Sequence, residues 1–226
     1  MAELWASLGQ PARGRARVVE FLAAREGEGV STVAREFAFH AAHAAGRRVW
    51  LIDLDLMGQT QFDALAAEPA RYGDLGPAAA ATPDGSMFFS VQPALRRPDG
   101  RPWPDARYIG AYSVGQVQLW ATRFRREALR GRQSAEVTAS GDYWNALRRH
   151  ADLVVVDAPA AERSQAGLLV APWVDQVVIV VAADEADARA TASLRDDIAE
   201  CGARCAGLFV NRVSVETPPF LRGASP

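Results

Sequence analysis

Five short runs along the chain are almost continuously apolar: "RVVEFLA" (17–23), "RVWLIDLD" (48–55), "DLVVVDAP" (152–159), "QVVIVVAA" (176–183) and "GLFVNRV" (207–213). A strand with one face in water alternates apolar and polar residues. Runs without alternation therefore predict strands covered on both faces, as in parallel sheets. The stretches between them carry helical signals. "STVAREFAFHAAHAAG" (31–46) starts on hydroxyl residues and ends at a glycine, and "DYWNALRRH" (142–150) and "DEADARATASLRDDIAECG" (184–202) read the same way. Strands alternating with helices predict an α/β fold, a doubly wound, mainly parallel sheet with helices on both faces. Ligands are then expected at the carboxyl ends of the strands. Residues 66–105 break the pattern, being rich in Ala, Pro, Gly and Arg ("GPAAAATPDGS", "PALRRPDGRPWPDA"). They predict an irregular surface excursion around one strand, "MFFSVQ" (87–92), within a single domain over residues 1–226. Trp103, set between two prolines in that excursion, hints at partner docking.

The polar residues that end these runs carry the candidate chemistry. "FLAAREGEGVST" (21–32) leads from a strand through glycines into a helix, the context of a phosphate-binding loop of the form G-x-x-x-x-G-K-[ST]. Ala24 takes the first position, Gly29 the second glycine, Val30 the lysine and Ser31 the hydroxyl. Gly27 and Gly29 let backbone N–H groups turn toward phosphate oxygens, and the helix that follows adds its positive N-terminal end. With Arg25, Glu28 and Thr32 these residues make up the candidate nucleotide contacts. Asp53 and Asp55 end the second run, Asp157 the third, and Asn211 the last, where an amide could read a base edge. Carboxylates at strand ends beside a phosphate loop are what Mg²⁺-phosphate chemistry requires, so Ser31, Asp53 and Asp157 are the candidate magnesium ligands.

Composition narrows the partners. The chain has 226 residues, 49% of them hydrophobic and 23% charged, with a net charge of −2. A near-neutral balance gives no general reason to expect nucleic acid, and no specific nucleic-acid partner is expected. The start, "MAELWASLGQPARGRA", lacks the apolar core of a secretory signal, and the longest apolar run is far too short to cross a bilayer, so a cytoplasmic location is expected. Cys201 and Cys205 read as small, reduced packing residues at a helix end. His40 and His43 lack a third ligand and read as packing or surface residues. "RFRREALRGR" (123–132) gathers five arginines in ten residues, by default a solvated basic face, though anionic lipid, nucleic acid or an acidic partner would each suit it.

Taken together, the loop, the two carboxylate strand ends and the terminal asparagine resemble the deviant-Walker P-loop ATPases of the MinD/ParA group. Within that group the chain is most similar to the cytoplasmic kinase domains of bacterial tyrosine kinases of polysaccharide export. Their loop, like "PGEGKST", is matched by "EGEGVST". Their D-x-D-x-R motif is matched by "LIDLDLM" with Met57 in place of arginine, and their D-x-P-P motif by "VVVDAPA" with Ala160 in place of the second proline. The similarity spans roughly residues 15–60 and 115–215. The departures fall on the activity. Val30 replaces the lysine, the tail "SVETPPFLRGASP" has no tyrosine cluster, and Glu3 is followed by Ala6 and Gly9 rather than by the arginines of the family's assembly helix. Loss of one preorganised transition-state contact of this kind costs about 2.7–4 kcal/mol.

The resemblance therefore implies a catalytically impaired protein, a regulatory or docking partner in exopolysaccharide, capsule or holdfast synthesis and export. It implies a membrane-bound polysaccharide co-polymerase or export component as partner, which would bring the chain to the inner membrane, and it allows a homodimer. No cofactor is required, with weak ADP or ATP binding with Mg²⁺ left open. Arg25 stands where the MinD/ParA proteins carry the extra lysine that crosses to a partner's phosphates. Two alternatives stay open: an active MinD/ParA-like ATPase that positions a cargo, and a nucleotide-free scaffold.

Overall fold

The structure, a computed structural model, describes residues 1–8 and 14–213. The tail at 214–226 and Gly9, both used in the argument from sequence, lie outside the described residues. Nine strands form among the described residues, β1 Arg17–Leu22, β2 Arg48–Asp53, β3 Phe89–Gln92, β4 Ile109–Val114, β5 Leu119–Phe124, β6 Ser134–Val137, β7 Ala151–Asp157, β8 Gln176–Ala182 and β9 Cys205–Asn211. The helices are α1 Ala2–Leu8, α2 Val30–Ala42, α3 Thr60–Ala67, α4 Pro69–Tyr72, α5 Asp142–His150, α6 Ala166–Val170 and α7 Ala188–Glu200. Seven strands make one sheet in the order β4-β5-β2-β7-β1-β8-β9, parallel throughout except for β4, which runs antiparallel to β5.

Successive residues of a strand point to opposite faces, and here both faces are covered. On one side Val18, Leu22, Ile52, Val154, Val156 and Ile179 pack with Tyr143, Trp144 and Leu147 of α5 and Leu194 and Ile198 of α7. On the other, Val19, Phe21, Leu51, Val155, Val178 and Val180 pack with Val33, Phe37 and Ala38 of α2. This is why the five runs are apolar without alternation, and it is the doubly wound, mainly parallel sheet with helices on both faces. α7 starts on Asp187, whose carboxylate accepts from the N–H groups of Arg189 and Ala190. α2 has no side-chain cap, so its first N–H groups stay open toward the sheet edge.

The stretch 66–105 is tied to the body at several points. Tyr72 is buried, Leu75 and Ala79 bridge to β4, and Phe88, Phe89 and Val91 join the core beside Trp144 and Phe124. The strand expected at 87–92 forms as β3 and pairs antiparallel with β6 in a separate small sheet. No helix among the described residues is long and apolar enough to cross a membrane. Cys205 is partly buried against the core, whereas Cys201 is exposed at the end of α7 and so is not the packing residue that the sequence suggested.

Candidate nucleotide-binding cleft

The turn between β1 and α2 forms one wall of a cleft of about 300 Å³ at the carboxyl edge of the sheet, lined by residues 25–32 with Asp55, Thr60, Pro159 and Arg163 among others. Its backbone is shaped by two left-handed glycines, Gly27 with φ +83° and Gly29 with φ +88°. At Gly29 the demand is double, because a Cβ there would sit 2.2 Å from the amide nitrogen of Asn211. That amide donates to the carbonyl of Glu28 at 3.0 Å, so Asn211 fastens the loop. Glu28 is buried, and its carboxylate accepts from the Arg25 N–H at 2.9 Å, a strap inside the loop. Val30, the first residue of α2, borders the cleft but is buried in the apolar cluster with Val33 and Phe37. The valine that takes the lysine position is thus mostly part of the core. Ser31 is half-buried and Thr32 exposed.

Opposite the loop, Asp53 and Asp157 end neighbouring strands in register. Both are buried. Asp53 accepts from the N–H groups of Asp55 at 2.9 Å and Gln61 at 3.1 Å, one to each oxygen. Asp157 accepts from the Gln61 side-chain amide at 2.6 Å through Oδ2 and from Ser31, while its Oδ1 has no hydrogen-bond partner. The same amide of Gln61 donates to the Ser31 carbonyl at 2.8 Å, and its oxygen accepts from Arg35 at 3.3 Å. Burial raises the pKa of both carboxyls. Mutual repulsion raises Asp53 further, and hydrogen bonds from Gln61 and Ser31 hold Asp157 partly down. The pair therefore keeps a proton toward neutral pH. Of the three candidate magnesium ligands, Asp157 has one oxygen without a hydrogen-bond partner and Ser31 is bonded to Asp157, whereas both oxygens of Asp53 already hold backbone N–H groups. Among the described residues no cluster of three His, Cys, Asp or Glu side chains is arranged to hold a metal. Restricted to Asp157 and Ser31, the fit is to a Mg²⁺ that also carries phosphate oxygens and water.

The cations at the cleft are all engaged. Arg25 pairs with Glu162 at 2.8 Å and Asp187 at 3.0 Å, both within the same chain. Arg163 pairs with Glu26 at 3.0 Å and with Asp55 at 2.5 Å. Glu162 also accepts from the Glu26 N–H at 2.6 Å, one of the loop donors that a phosphate would use. Arg212 binds the Gly27 carbonyl and lies 3.6 Å from Asp184. Gln61, Glu162 and Arg163 were not among the sequence candidates. The one hint was that each lies within a few residues of a strand-end aspartate, in the turn that flanks the cleft. His40 and His43 stay exposed along α2, and His43 turns its ring to the carbonyl of Phe39.

No family model and no curated protein matches the chain by sequence. Solved structures do. The VpsO kinase domain covers 88% of this chain and 86% of its own, with TM-score 0.56 and 18% identity. MinD of Aquifex aeolicus gives TM-score 0.53 at 16% identity over 88% of this chain and 70% of that one. A nucleotide-binding protein of Archaeoglobus fulgidus in complex with ADP gives 0.54 at 18% identity over 91% and 69%. The chain has a MinD-like P-loop NTPase fold. The tyrosine-kinase and MinD neighbours agree with the motif resemblance drawn from the sequence.

Proposed function

We propose that the chain is a catalytically impaired P-loop protein of the bacterial tyrosine-kinase type, acting as a regulatory or docking partner in the synthesis and export of a polysaccharide. The observation that carries the reading is Val30, a buried apolar side chain where the loop needs a phosphate-neutralising cation. Gln61 supports it, since its amide already holds one of the two oxygens of the aspartate that would serve Mg²⁺. The setting in polysaccharide export rests on the motif resemblance, and so does the partner, a membrane-bound co-polymerase or export component that would hold the chain at the cytoplasmic face. Backbone N–H groups at the start of α2 leave room for weak ADP or ATP binding, an ability found in the ADP-bound neighbour.

A nucleotide-free scaffold is the second reading. It is favoured by the ion pairs that engage Arg25 and Arg163 and by the carboxylate of Glu162 on a loop N–H. Purified protein with labelled ATP and Mg²⁺ is expected to give background hydrolysis and no label on the protein. Turnover near one per second, ordinary for kinases, would overturn impairment and favour the active ATPase. Calorimetry separates the first two readings. Val30→Lys is expected to bind ADP about tenfold more tightly than the natural chain, as a charge-assisted phosphate contact should. No gain would leave the scaffold.

A further inference from the structure

One charged surface plays no part in the cleft. The β3–β6 sheet and the loops that leave it form a lobe beside β4 and β5, built on an aromatic base in which Phe89, Phe124 and Tyr108 pack edge to face or stacked. The loop at 93–104 and the segment at 130–133 meet on it. The Gln133 side chain donates to the Pro93 carbonyl at 2.8 Å, and its oxygen accepts from the Arg130 N–H at 2.9 Å. Arg96, Arg97, Arg101, Arg107, Arg130 and Arg132 thereby come onto one lobe from two distant parts of the sequence. None of the six forms an ion pair among the described residues. Of the acids close by, Glu136 on β6 forms no ion pair with them, and three others are otherwise engaged. Asp99 accepts from the Arg101 N–H, Asp105 from the Val91 N–H, and Glu127 pairs with Arg123.

The loop carries an exposed indole, Trp103, 39% accessible. Two guanidiniums flank it, Arg97 at 4.9 Å and Arg107 at 4.5 Å from the ring centroid. Six like charges that outnumber the carboxylates of the lobe and form no ion pair with them are electrostatically costly in an isolated domain, and they bind polyanions. Arginine binds phosphate bidentately, and tryptophan favours the level of lipid headgroups, where its ring is half in water and half in hydrocarbon. With two guanidiniums at its ring, Trp103 has little free face for a stacked base. An extended polyanion would also run on into the carboxylates of the neighbouring cleft, because Arg126 ties the lobe to the Met57 carbonyl, two residues past Asp55.

We propose that this lobe is a membrane-surface site, in which the six arginines bind the phosphates of anionic phospholipids and Trp103 seats at headgroup level. The site needs neither an intact nucleotide cleft nor the partner proposed above. It adds a direct contact to the membrane.

Flotation of the full chain with vesicles tests it, comparing pure phosphatidylcholine with vesicles carrying about one third phosphatidylglycerol. The chain is expected to float with the anionic vesicles only and to detach as salt is raised. Each arginine near such a surface contributes about fivefold in partition, so Arg97→Ala with Arg101→Ala should weaken binding by ~30-fold. Trp103→Ala should weaken it as well, whereas Arg195→Ala, on the exposed face of α7, should leave it unchanged. Absence of flotation, equal flotation with neutral vesicles, or equal weakening by Arg195→Ala would each overturn the site. So would binding to a DNA duplex at matched phosphate concentration in the absence of vesicle binding. The comparison of vesicles uses the natural chain, so it decides the matter even if a variant misfolds.

Discussion

The cleft and the arginine lobe lie side by side at one edge of the sheet, yet they handle charge in opposite ways. In the cleft every arginine has carboxylate company: Arg25 with Glu162 and Asp187, Arg163 with Asp55 and Glu26, Arg212 with Asp184 and Glu185. In the lobe six arginines form no ion pair among the described residues. A net charge of −2 conceals this division. Paired charges hold a loop in one shape and offer little to a ligand. Unpaired charges of one sign leave a region dependent on something outside it. On this comparison the cleft is held in one shape by its own charges, and the lobe's arginines are left without ion pairs among the described residues.

The largest effect should come from the residue that locks the cleft. Gln61 is fully buried and hydrogen-bonds Asp157, the Ser31 carbonyl and Arg35 at once. Gln61→Leu keeps the volume and takes one buried hydrogen bond from each of these groups, so urea denaturation should show a loss of about 2–3 kcal/mol. A loss well under ~1 kcal/mol would mean that the cleft is not held together by its own polar groups, and the contrast with the lobe would fail.

Such a residue could not have been found from the sequence. The five apolar runs were legible because a strand buried on both faces leaves its mark in consecutive residues. β4 and β5 were not, since "IGAYSV" and "LWATRF" sit at the sheet margin, where burial is interrupted at Ser113 and Arg123. The phosphate-loop pattern located the turn at 24–32, and the aspartates located the strand ends. Gln61 lies in an ordinary polar turn, and its meaning depends on Asp157, 96 residues away. Arg163 and Glu162 likewise gain their roles only once β7 is laid beside β1. Arg96 and Arg97 looked like solvated loop residues until β3 paired with β6 and brought Arg130 and Arg132 beside them.

A smaller effect follows from pH. Burial raises Asp53 and Asp157 in the folded chain, and Glu20, fully buried in β1 with no hydrogen-bond partner at either oxygen, is raised well above its ordinary range for the same reason. Groups near the aspartate pair include Asp55, Arg35 and Arg163. Since the folded state holds more protons than the unfolded one above the ordinary carboxylate pKa, stability must fall as pH rises from about 5 to 8. Asp53→Asn should remove about 1–2 kcal/mol of that fall, and Glu20→Gln should remove its own share independently, the two residues lying on different strands. Thermal melts across this range check the sign. Stability rising with pH would show that the carboxylates are ionised and compensated, the condition of a working cation site.

The smallest effect gives the sharpest contrast, because it predicts opposite signs for the same substitution in the two regions. Arg163 is 45% exposed, and its partners Asp55 and Glu26 are 20% and 61% exposed, so water screens both ion pairs. Arg163→Ala should therefore cost no more than about 0.5–1 kcal/mol at low ionic strength, and most of that should vanish near ~1 M salt, where the screening length is about 3 Å. Arg101 has no carboxylate partner and shares its lobe with five other guanidiniums. Arg101→Ala relieves repulsion and should leave the chain equally stable or slightly more stable at low salt, the gain fading as salt is added. Paired urea titrations of both variants at low and high salt read the two signs directly. If both substitutions destabilise alike, the lobe's arginines have counter-charges within the chain, and the surface has no electrostatic reason to seek an anionic partner. If Arg163→Ala is neutral at every salt concentration, its ion pairs do not hold the cleft, and the guanidinium is free to turn to phosphate in place of the missing lysine.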